Sequence, residues 1–211
     1  MRRPHISSRL LLLIVVLVLI LAIIAYAASQ QSAMTPTTKL TATFDFDTSY
    51  PILANSQNTP FNQTSNSITT YFNSPSDPAT FSIQSDNTTS LSLSQFSGKY
   101  LYDNNPTRDI LDIKFSAEII TVKVTFATVE LQGGTVSEPS DILLTAYKDN
   151  NLIGTATAFG SFSSDSYPQG ILSLNPGQPF NWIRISIPAE TPTTDFIVDN
   201  ITVTAVSQAT T

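Results

Sequence analysis

The sequence predicts an all-β fold: an antiparallel two-sheet β-sandwich preceded by one N-terminal transmembrane or signal helix. Three observations lead to this prediction. An uncharged aliphatic run of 19 residues lies near the N-terminus. Beyond it, apolar and polar residues alternate with period two in many short segments, and no window of ten or more residues shows the period of a helix. Asn, Asp, Gly and Pro cluster between these segments, as is typical of turns.

The apolar run extends from Leu10 to Ala28. As a helix it would rise about 28 Å, close to the roughly 30 Å hydrocarbon core of a bilayer. Three arginines precede it and the first charge after it is Lys39, so we expect residues 1–9 in the cytoplasm and the rest outside, with a linker at 29–39. The alternative is a signal peptide with Ala25-Tyr26-Ala27 as its cleavage site, which leads to secretion.

Composition excludes several function classes. The chain has 211 residues, a net charge of −6, no cysteine and one histidine, His5, which precedes the apolar run. Disulfides, cysteine zinc sites and thiol nucleophiles are therefore excluded, and a catalytic triad has no histidine in the folded domain. Without the three N-terminal arginines, 7 basic residues stand against 16 acidic ones, a net charge of −9, which argues against a nucleic-acid partner. No catalytic motif is recognisable, and the sequence predicts that the protein is not an enzyme.

Residues 40–206 form the predicted β-sandwich domain, with a tail at 207–211 and about ten or eleven strands. The sharpest turn signal is Asp149-Asn150-Asn151, because Asp and Asn tolerate positive φ, and it predicts a tight hairpin. Residues 48–80 are the least regular and are expected to hold long loops with a strand or two. Strands are expected at Thr41–Phe46, near 68–72 and 79–84, at Leu91–Ser94, near 110–116, at Thr121–Phe126, near 141–148, 152–160 and 170–174, and at Ile183–Ile187 and Ile201–Ala205.

Six segments carry a family resemblance. Their order resembles that of secreted jelly-roll domains of the galactose-binding-like type, which are similar to carbohydrate-binding modules and occur in prokaryotic surface proteins. The resemblance covers roughly residues 40–206 and implies a fold more than a function. It also implies that the domain binds sugars and holds a structural calcium between its first and last strands. The segments are Phe44–Asp47, Leu111–Phe115, Ile120–Phe126, Leu144–Gly154, Trp182–Ser186 and Phe196–Val203.

Three aspartates form a candidate calcium site. By alternation, Asp199 shares an apolar face with Ile201 and Val203, where an ionised carboxylate needs a partner. Asp45 and Asp47 lie in the first strand, which this fold places beside the last. Calcium prefers several oxygen ligands, so Asp45, Asp47 and Asp199 are its candidate ligands. The alternative is that Asp45 and Asp47 point to solvent, while Asp199 sits at a bulge or accepts backbone hydrogen bonds.

Four further residues are candidates for ligand binding. Trp182 shares a period-two face with Arg184, and a flat aromatic ring beside a cation can stack on a sugar. Tyr100 and Tyr102 are candidates to line a pocket at a loop end. The alternative for all three aromatic residues is ordinary packing, under a loop for Trp182 and within a sheet for the tyrosines.

N-glycosylation sequons begin at Asn62, Asn87 and Asn200, and they matter only if the host glycosylates exported proteins. Two functions remain open. One is a non-catalytic, membrane-anchored cell-surface domain that binds carbohydrate or another envelope polymer. The other is a structural cell-envelope or filament component that makes protein contacts. An exposed aromatic platform favours the first, and a long uncovered edge strand or broad apolar patch favours the second.

Overall fold

The computed structural model of the protein contains two compact units. The larger unit, Lys39–Ser207, contains the β-structure; the smaller comprises Met1–Thr38 and Gln208–Thr211. Residues 17–23 are helical, and the rest of the predicted Leu10–Ala28 span lies outside the described residues. In the part of the chain that is described, no helix has the length and apolarity needed to cross a bilayer. The described residues are 17–23, 38–85, 93–105, 107–129, 139–162, 167–191 and 193–207.

The fold is mostly β-sheet, as predicted, and the strands pair antiparallel. Apolar and polar residues alternate along most of them, because one side of each strand faces the core. The described residues form eleven strands: β1 Thr38–Phe44, β2 Phe61–Ser65, β3 Ile68–Asn73, β4 Phe81–Ser85, β5 Lys99–Asp103, β6 Ile110–Val129, β7 Asp141–Lys148, β8 Asn151–Phe159, β9 Gln169–Leu174, β10 Phe180–Ser186 and β11 Asp195–Ser207.

Strand β6 joins two halves of the sheet. Its first part pairs with β3 and β10, and its second part pairs with β9 and β11. We call β2, β3, the start of β6, β10, β7 and β8 the first half. The second half comprises β4, β5, β11, the end of β6, β9 and β1. One hydrophobic cluster takes residues from both halves, for example Ile183 of β10 and Val203 of β11. The sequence predicted two separate strands where β6 forms a single strand of 20 residues.

A bulge in β11 corrects the predicted position of Asp199. Val198 and Ile201 both belong to the main core, although simple alternation would place residues three apart on opposite faces. The register with β6 shifts after Asp199, and Asn200 has a φ of 47°, in the left-handed region that Asn tolerates. Asp199 therefore lies on the face of Ile197, opposite to that of Ile201, and is still fully buried.

The predicted hairpin is confirmed. Lys148 of β7 pairs with Asn151 of β8, so the turn consists of two residues. These are Asp149 and Asn150, with φ of 49° and 70°, the positive values that a type I′ turn requires. Asn151, expected in the turn, is the first residue of β8.

Other strand predictions were incomplete, because they relied on alternation. In β2 the inward positions hold Phe61 and Gln63, and a buried glutamine breaks the apolar pattern. In β5, Tyr100 and Leu101 are both fully buried on opposite faces, so neither face of the strand is open to solvent at these positions. The described end of the predicted strand Leu91–Ser94 lies outside any strand.

Candidate functional site

A line of five side chains crosses the outward face of the first half. Cross-strand neighbours lie about 4.5–5.5 Å apart, so side chains in register form a continuous line. Both ends of the line are open to solvent, with Tyr71 38% and Leu152 62% exposed. Lys114 is exposed, and Trp182 and Tyr147 are half-buried. We call this line the aromatic row; in order of pairing it consists of Tyr71 on β3, Lys114 on β6, Trp182 on β10, Tyr147 on β7 and Leu152 on β8.

Trp182 lies at the centre of the aromatic row. It points outward because Ile183 and Ile185, the alternate residues of β10, are fully buried. Its indole stacks on the ring of Tyr147, with centroids 4.0 Å apart and planes inclined by 10°, so Tyr147 covers one indole face. The guanidinium carbon of Arg184 lies 5.6 Å from the indole centroid, within the range of a cation–π contact. Trp182 and Arg184 are thus together, as the sequence predicted.

Arg184 is held in place by Asp112 of β6. Its Nε donates to Asp112 Oδ1 at 2.7 Å and its Nη2 donates to Asp112 Oδ2 at 2.8 Å, the two-pronged geometry of a strong ion pair. The hydrogen bond to Asp112 raises the pKa of Arg184. These two residues belong to a second line, which we call the polar row, beside the aromatic row. The polar row consists of Asn73, Asp112, Arg184, Thr145 and Thr155.

A groove with a volume of about 250 Å³ lies beside Trp182 and opens toward the β7–β8 turn. Asn181 fixes that turn: its Nδ2 donates to Asp149 Oδ1 at 2.7 Å, and its Oδ1 accepts a bond from the Asp149 N–H at 3.2 Å. The groove thus combines aromatic surface with an ammonium, a carboxylate and amide groups. Its lining residues are Lys114, Phe115, Asp149, Asn150, Asn181 and Trp182.

Sequence reasoning missed most of the aromatic row. The hairpin signal at Asp149 pairs Tyr147 with Leu152, so these two residues were within reach of the sequence. Tyr71 and Lys114 were not, because their place beside Trp182 depends on the pairing of β3 with β6 and of β6 with β10.

The two candidate tyrosines lie elsewhere, on the second half. Tyr100 is fully buried and packs edge-on against Phe96, with centroids 5.8 Å apart. The prediction that Tyr100 lines an open pocket is therefore wrong, because Leu93 and Phe96 cover it. Tyr102 packs against the same cluster. Burial, with smaller contributions from Tyr167 and other neighbours, raises the pKa of Tyr102 to about 12.

Asp47 and Asp199 hold the two sides of one turn. The N–H of Ser97 donates to Asp199 Oδ2 at 3.2 Å, and the N–H of Lys99 donates to Asp47 Oδ2 at 2.9 Å. Gly98 between them has a φ of 67°, and a Cβ at this position would lie 2.2 Å from Asp47 Oδ2. Glycine is required here for both reasons.

Asp45 accepts bonds from its own loop. Its Oδ1 accepts the N–H groups of Asp47, Thr48 and Ser49, and its Oδ2 accepts the Thr48 hydroxyl at 2.6 Å. Burial acts to raise the pKa of Asp45, but these hydrogen bonds outweigh it and lower the pKa. Asp45 is therefore ionised and stabilises its own loop through these hydrogen bonds.

For Asp199, burial outweighs hydrogen bonding in setting the pKa. Burial raises its pKa to about 7, against hydrogen bonds from Asn200 and Ser97 that lower it, and the charges of Asp47 and Asp45 add to the rise. Asp199 and Asp47 therefore lie at the same turn, and Asp45 precedes Asp47 by two residues in the chain. Among the described residues, no group of three or more His, Asp or Glu side chains is arranged to hold a metal ion. The hydrogen bonds of Asp199 match the alternative of a bulge with backbone N–H donors.

The sequons differ in accessibility. Asn62 is exposed on β2. Asn200 is half-buried, and its Nδ2, the atom that would carry a glycan, donates to Asp199 Oδ2 at 2.8 Å. Asn87 lies outside the described residues.

No protein-family model and no curated protein matches the chain. Among solved structures, the chain is similar to the K2 cleaved adhesin domain of Lys-gingipain, with 9% identity over 77% of this chain and 97% of that chain and a TM-score of 0.48. It is similar to a DUF4465 family protein from Bacteroides caccae, with 14% identity, coverage of 79% and 98%, and a TM-score of 0.49. It is also similar to a mutant family 29 carbohydrate-binding module, with 14% identity, coverage of 64% and 90%, and a TM-score of 0.31.

Proposed function

We propose that the protein is a non-catalytic, membrane-anchored cell-surface domain whose aromatic row binds carbohydrate or another envelope polymer. The observation that supports this proposal is the aromatic row itself, with the polar row beside it. Aromatic rings pack on the apolar faces of sugars, and the neighbouring polar groups supply hydrogen bonds to hydroxyls. Both kinds of group lie on the outward side of one sheet.

The length of the aromatic row favours an extended ligand. Five strands spaced about 4.8 Å apart give a line of roughly 19 Å, long enough for several sugar units. Tyr147 covers one face of Trp182, which leaves the remaining indole surface and the exposed ring of Tyr71 for contact. We therefore favour a polymer lying across the strands over a single sugar in a pocket.

A fluorescence titration tests this function, because Trp182 is the single tryptophan of the chain. Soluble fragments of peptidoglycan, a β-glucan and an acidic polysaccharide would be titrated against the full chain. We expect at least one of these polymers to change the Trp182 emission saturably. Tyr71→Ala should weaken that binding about tenfold, equivalent to roughly 1.4 kcal/mol of lost contact.

Tyr50→Ala is the matched control, since Tyr50 is 76% exposed but lies outside the aromatic row. It should leave the affinity unchanged. Equal losses for Tyr50→Ala and Tyr71→Ala, or no emission change with any of the polymers, would contradict the proposal.

For the architecture, we propose a jelly-roll-type sandwich in which the first and second halves pack face to face. The support is the single core cluster that takes side chains from both halves. We further propose that Leu10–Ala28 anchors the domain outside the cell membrane with residues 1–9 in the cytoplasm, supported by the aliphatic run and the preceding arginines. N-terminal sequencing of the mature protein tests the anchor, because a start at Ala28 would show cleavage and secretion.

We also propose a structural calcium ion at Asp45, Asp47 and Asp199. The support is that Asp47 and Asp199 both accept backbone N–H bonds from the Gly98 turn and that the charges of Asp47 and Asp45 help to raise the pKa of Asp199. A cation would offset this repulsion. The residues fit in part, because each carboxylate also accepts backbone N–H bonds. Calcium should raise the melting temperature relative to EGTA in the parent chain but not in Asp199→Asn. A melting temperature indifferent to calcium in the parent chain would remove this proposal.

A further inference from the structure

A second groove lies on the outward face of the second half. Leu93 and Phe96 pack over one end of this face, at Ile197 of β11. At the other end, Lys123 of β6 is exposed, and a groove with a volume of about 540 Å³ lies beside it. This volume is about twice that of the groove on the first half. The second half therefore keeps an open surface of its own beyond the residues that cover it.

Polar side chains from three strands line this groove. Val122 and Val124 are buried in the core, so Lys123 between them points outward. Lys123 is in register with Ser173 of β9 and with Thr202 of β11, and neighbours in register lie about 4.5–5.5 Å apart. We call this site the hydroxyl groove; its polar lining residues are Thr121, Lys123, Ser173, Asn175, Thr202 and Thr204.

The hydrogen-bonding groups of the hydroxyl groove are complementary to an anion. The ammonium of Lys123 only donates, whereas hydroxyl and amide groups both donate and accept. No Asp or Glu, whose ionised side chains only accept, is among the lining residues. A ligand group that only accepts, such as a carboxylate, therefore matches this donor-rich surface.

The charge of Lys123 is available for such a ligand. Among the described residues, ion pairs join Lys148 to Glu118 and Arg184 to Asp112, and Lys123 takes part in neither. The net charge of −9 on the domain repels an anion at long range. Salt screens this repulsion beyond about 8 Å at physiological ionic strength, so the local charge of the groove decides whether an anion binds.

The groove is better suited to an acidic sugar than to a phosphate group. Phosphate sites commonly use free backbone N–H groups at helix ends or in loops. At Lys123, strand β6 is paired with β9 on one side and β11 on the other, so its backbone groups belong to the sheet. The threonine and serine hydroxyls can instead exchange hydrogen bonds with the hydroxyls of a sugar ring. A uronic acid combines such hydroxyls with one carboxylate.

We propose that the hydroxyl groove binds uronic acid units of an acidic polysaccharide. The carboxylate contacts the ammonium of Lys123, and the sugar hydroxyls contact the neighbouring side chains, among them Thr121 and Ser173. The site lies on the second half and shares no residue with the aromatic row, so it does not depend on the function proposed above. With both sites, one domain can hold two segments of polymer.

Fluorescence anisotropy with labelled trigalacturonate tests this site. The full chain in detergent would carry Trp182→Ala, which removes the centre of the aromatic row. We expect saturable binding, and we expect Lys123→Met on this background to weaken it about tenfold through the loss of one charge-assisted contact. Labelled maltotriose, a neutral trimer, should bind at least about tenfold more weakly than trigalacturonate for the same reason.

Lys39→Met is the matched control, since Lys39 is exposed on β1 and its loss changes the net charge equally. It should leave the affinity unchanged. Equal losses for Lys39→Met and Lys123→Met, equal binding of the two trimers, or no binding of trigalacturonate would overturn the proposal. Stronger competition by inorganic phosphate than by galacturonate would also overturn it, by showing a site for a different anion.

A hydroxyl of the groove supplies an independent check. Thr121→Val keeps the side-chain shape but removes one hydroxyl, and it should weaken trigalacturonate binding about threefold. Thr125→Val is the control, because Thr125 lies on the same side of β6 but outside the lining of the groove. Equal affinities of these two variants would count against a sugar in the groove.

The parent chain separates this proposal from the aromatic row. If the parent chain binds trigalacturonate and Trp182→Ala alone abolishes that binding, the acidic sugar lies on the aromatic row. That result would overturn the second site and leave the proposed function standing. Binding that survives Trp182→Ala but is lost with Lys123→Met would support the hydroxyl groove, whatever the outcome at the aromatic row.

Discussion

The outward faces of the two halves of the sheet differ in solvent exposure: the first is open and the second is partly covered. On the first half, the aromatic row lies on the outward face, and Arg184 of the polar row is half-buried beside it. On the second half, residues 93–99 lie over the outward face, with Leu93 and Phe96 packed on Tyr100 and Ile197. Trp182 and Tyr100 are both aromatic residues of central strands, yet Trp182 is half-buried while Tyr100 is fully buried. The comparison shows that the covering segment, and not the strand, decides which face serves as a surface.

The acidic residues follow the same division. On the second half, Asp199 is fully buried and helps to hold the covering segment through Ser97. On the first half, Asp112 forms an ion pair with Arg184 near the solvent. Asp199, beneath the covering segment, thus holds backbone N–H groups in place. Asp112, on the open face, instead holds the side chain of Arg184, which is positioned to contact a ligand.

The largest expected effect is the difference between two aromatic truncations. Tyr100→Ala should cost about 3–5 kcal/mol in the free energy of unfolding, because it leaves a cavity in a covered core. Trp182→Ala should cost about 1 kcal/mol, mainly the stacking on Tyr147, and should abolish polymer binding at the aromatic row. Chemical denaturation of both variants measures the difference. Similar losses of stability would show that the two faces are not distinct.

The next effect concerns Asp199. Asp199→Ala should cost about 1–3 kcal/mol, because the N–H groups of Ser97 and Asn200 lose their acceptor. In the parent chain without calcium, the pKa of Asp199 is about 7 when folded, above its ordinary value of 3.8. The stability that comes from the raised pKa is therefore fully present below about pH 4 and is lost as the pH rises through about 7.

Asp199→Asn removes this titration. The unfolding free energy of Asp199→Asn minus that of the parent chain should therefore increase between about pH 4 and pH 8 when both are measured in EGTA, because the parent chain loses stability over this range. A constant difference across that range would mean that Asp199 does not titrate with a raised pKa.

The sequence predicted features that depend on neighbouring residues. The Asp149-Asn150 turn, the outward position of Trp182 and its contact with Arg184 follow from alternation and turn chemistry within short segments. The bulge at Asn200 was not predictable in this way. Alternation holds on each side of it, and the shift appears only in the pairing with β6.

Long-range packing decided the remaining features. Tyr100 and Tyr102 alternate with their neighbours in the same way as Trp182 does, and the sequence could not show that residues 93–99 return to cover that face. Tyr71 and Lys114 join the aromatic row only through the order of the strands. The centre of the candidate site, Trp182 with Arg184, was therefore predictable from neighbouring residues. The rest of the aromatic row was not, because its members are brought together by the order of the strands.

A smaller effect is expected at the ion pair of the open face. Arg184→Ala should cost about 1 kcal/mol, since the pair is partly exposed and solvent screens its charge. A double-mutant cycle with Asp112→Ala should give a coupling energy of similar size. A coupling energy near zero would show that Asp112 does not position Arg184, and would weaken the contrast with buried Asp199.

Glycan attachment is expected to have the smallest effect on stability. Its occupancy at Asn62 and at Asn200 compares the accessibility of the two faces directly. In a host that glycosylates exported proteins, we expect peptide mass spectrometry to find a glycan at Asn62 and little at Asn200. Asn62 is exposed, so a glycan there displaces no contact and the free energy of unfolding should change by less than about 0.5 kcal/mol. The Asn200 Nδ2 bonds to buried Asp199, so a glycan there would have to be attached to a nitrogen that is held beside a buried carboxylate. Asn62→Gln should remove the mass shift, and equal occupancy at both sites would show that the covering segment leaves Asn200 accessible.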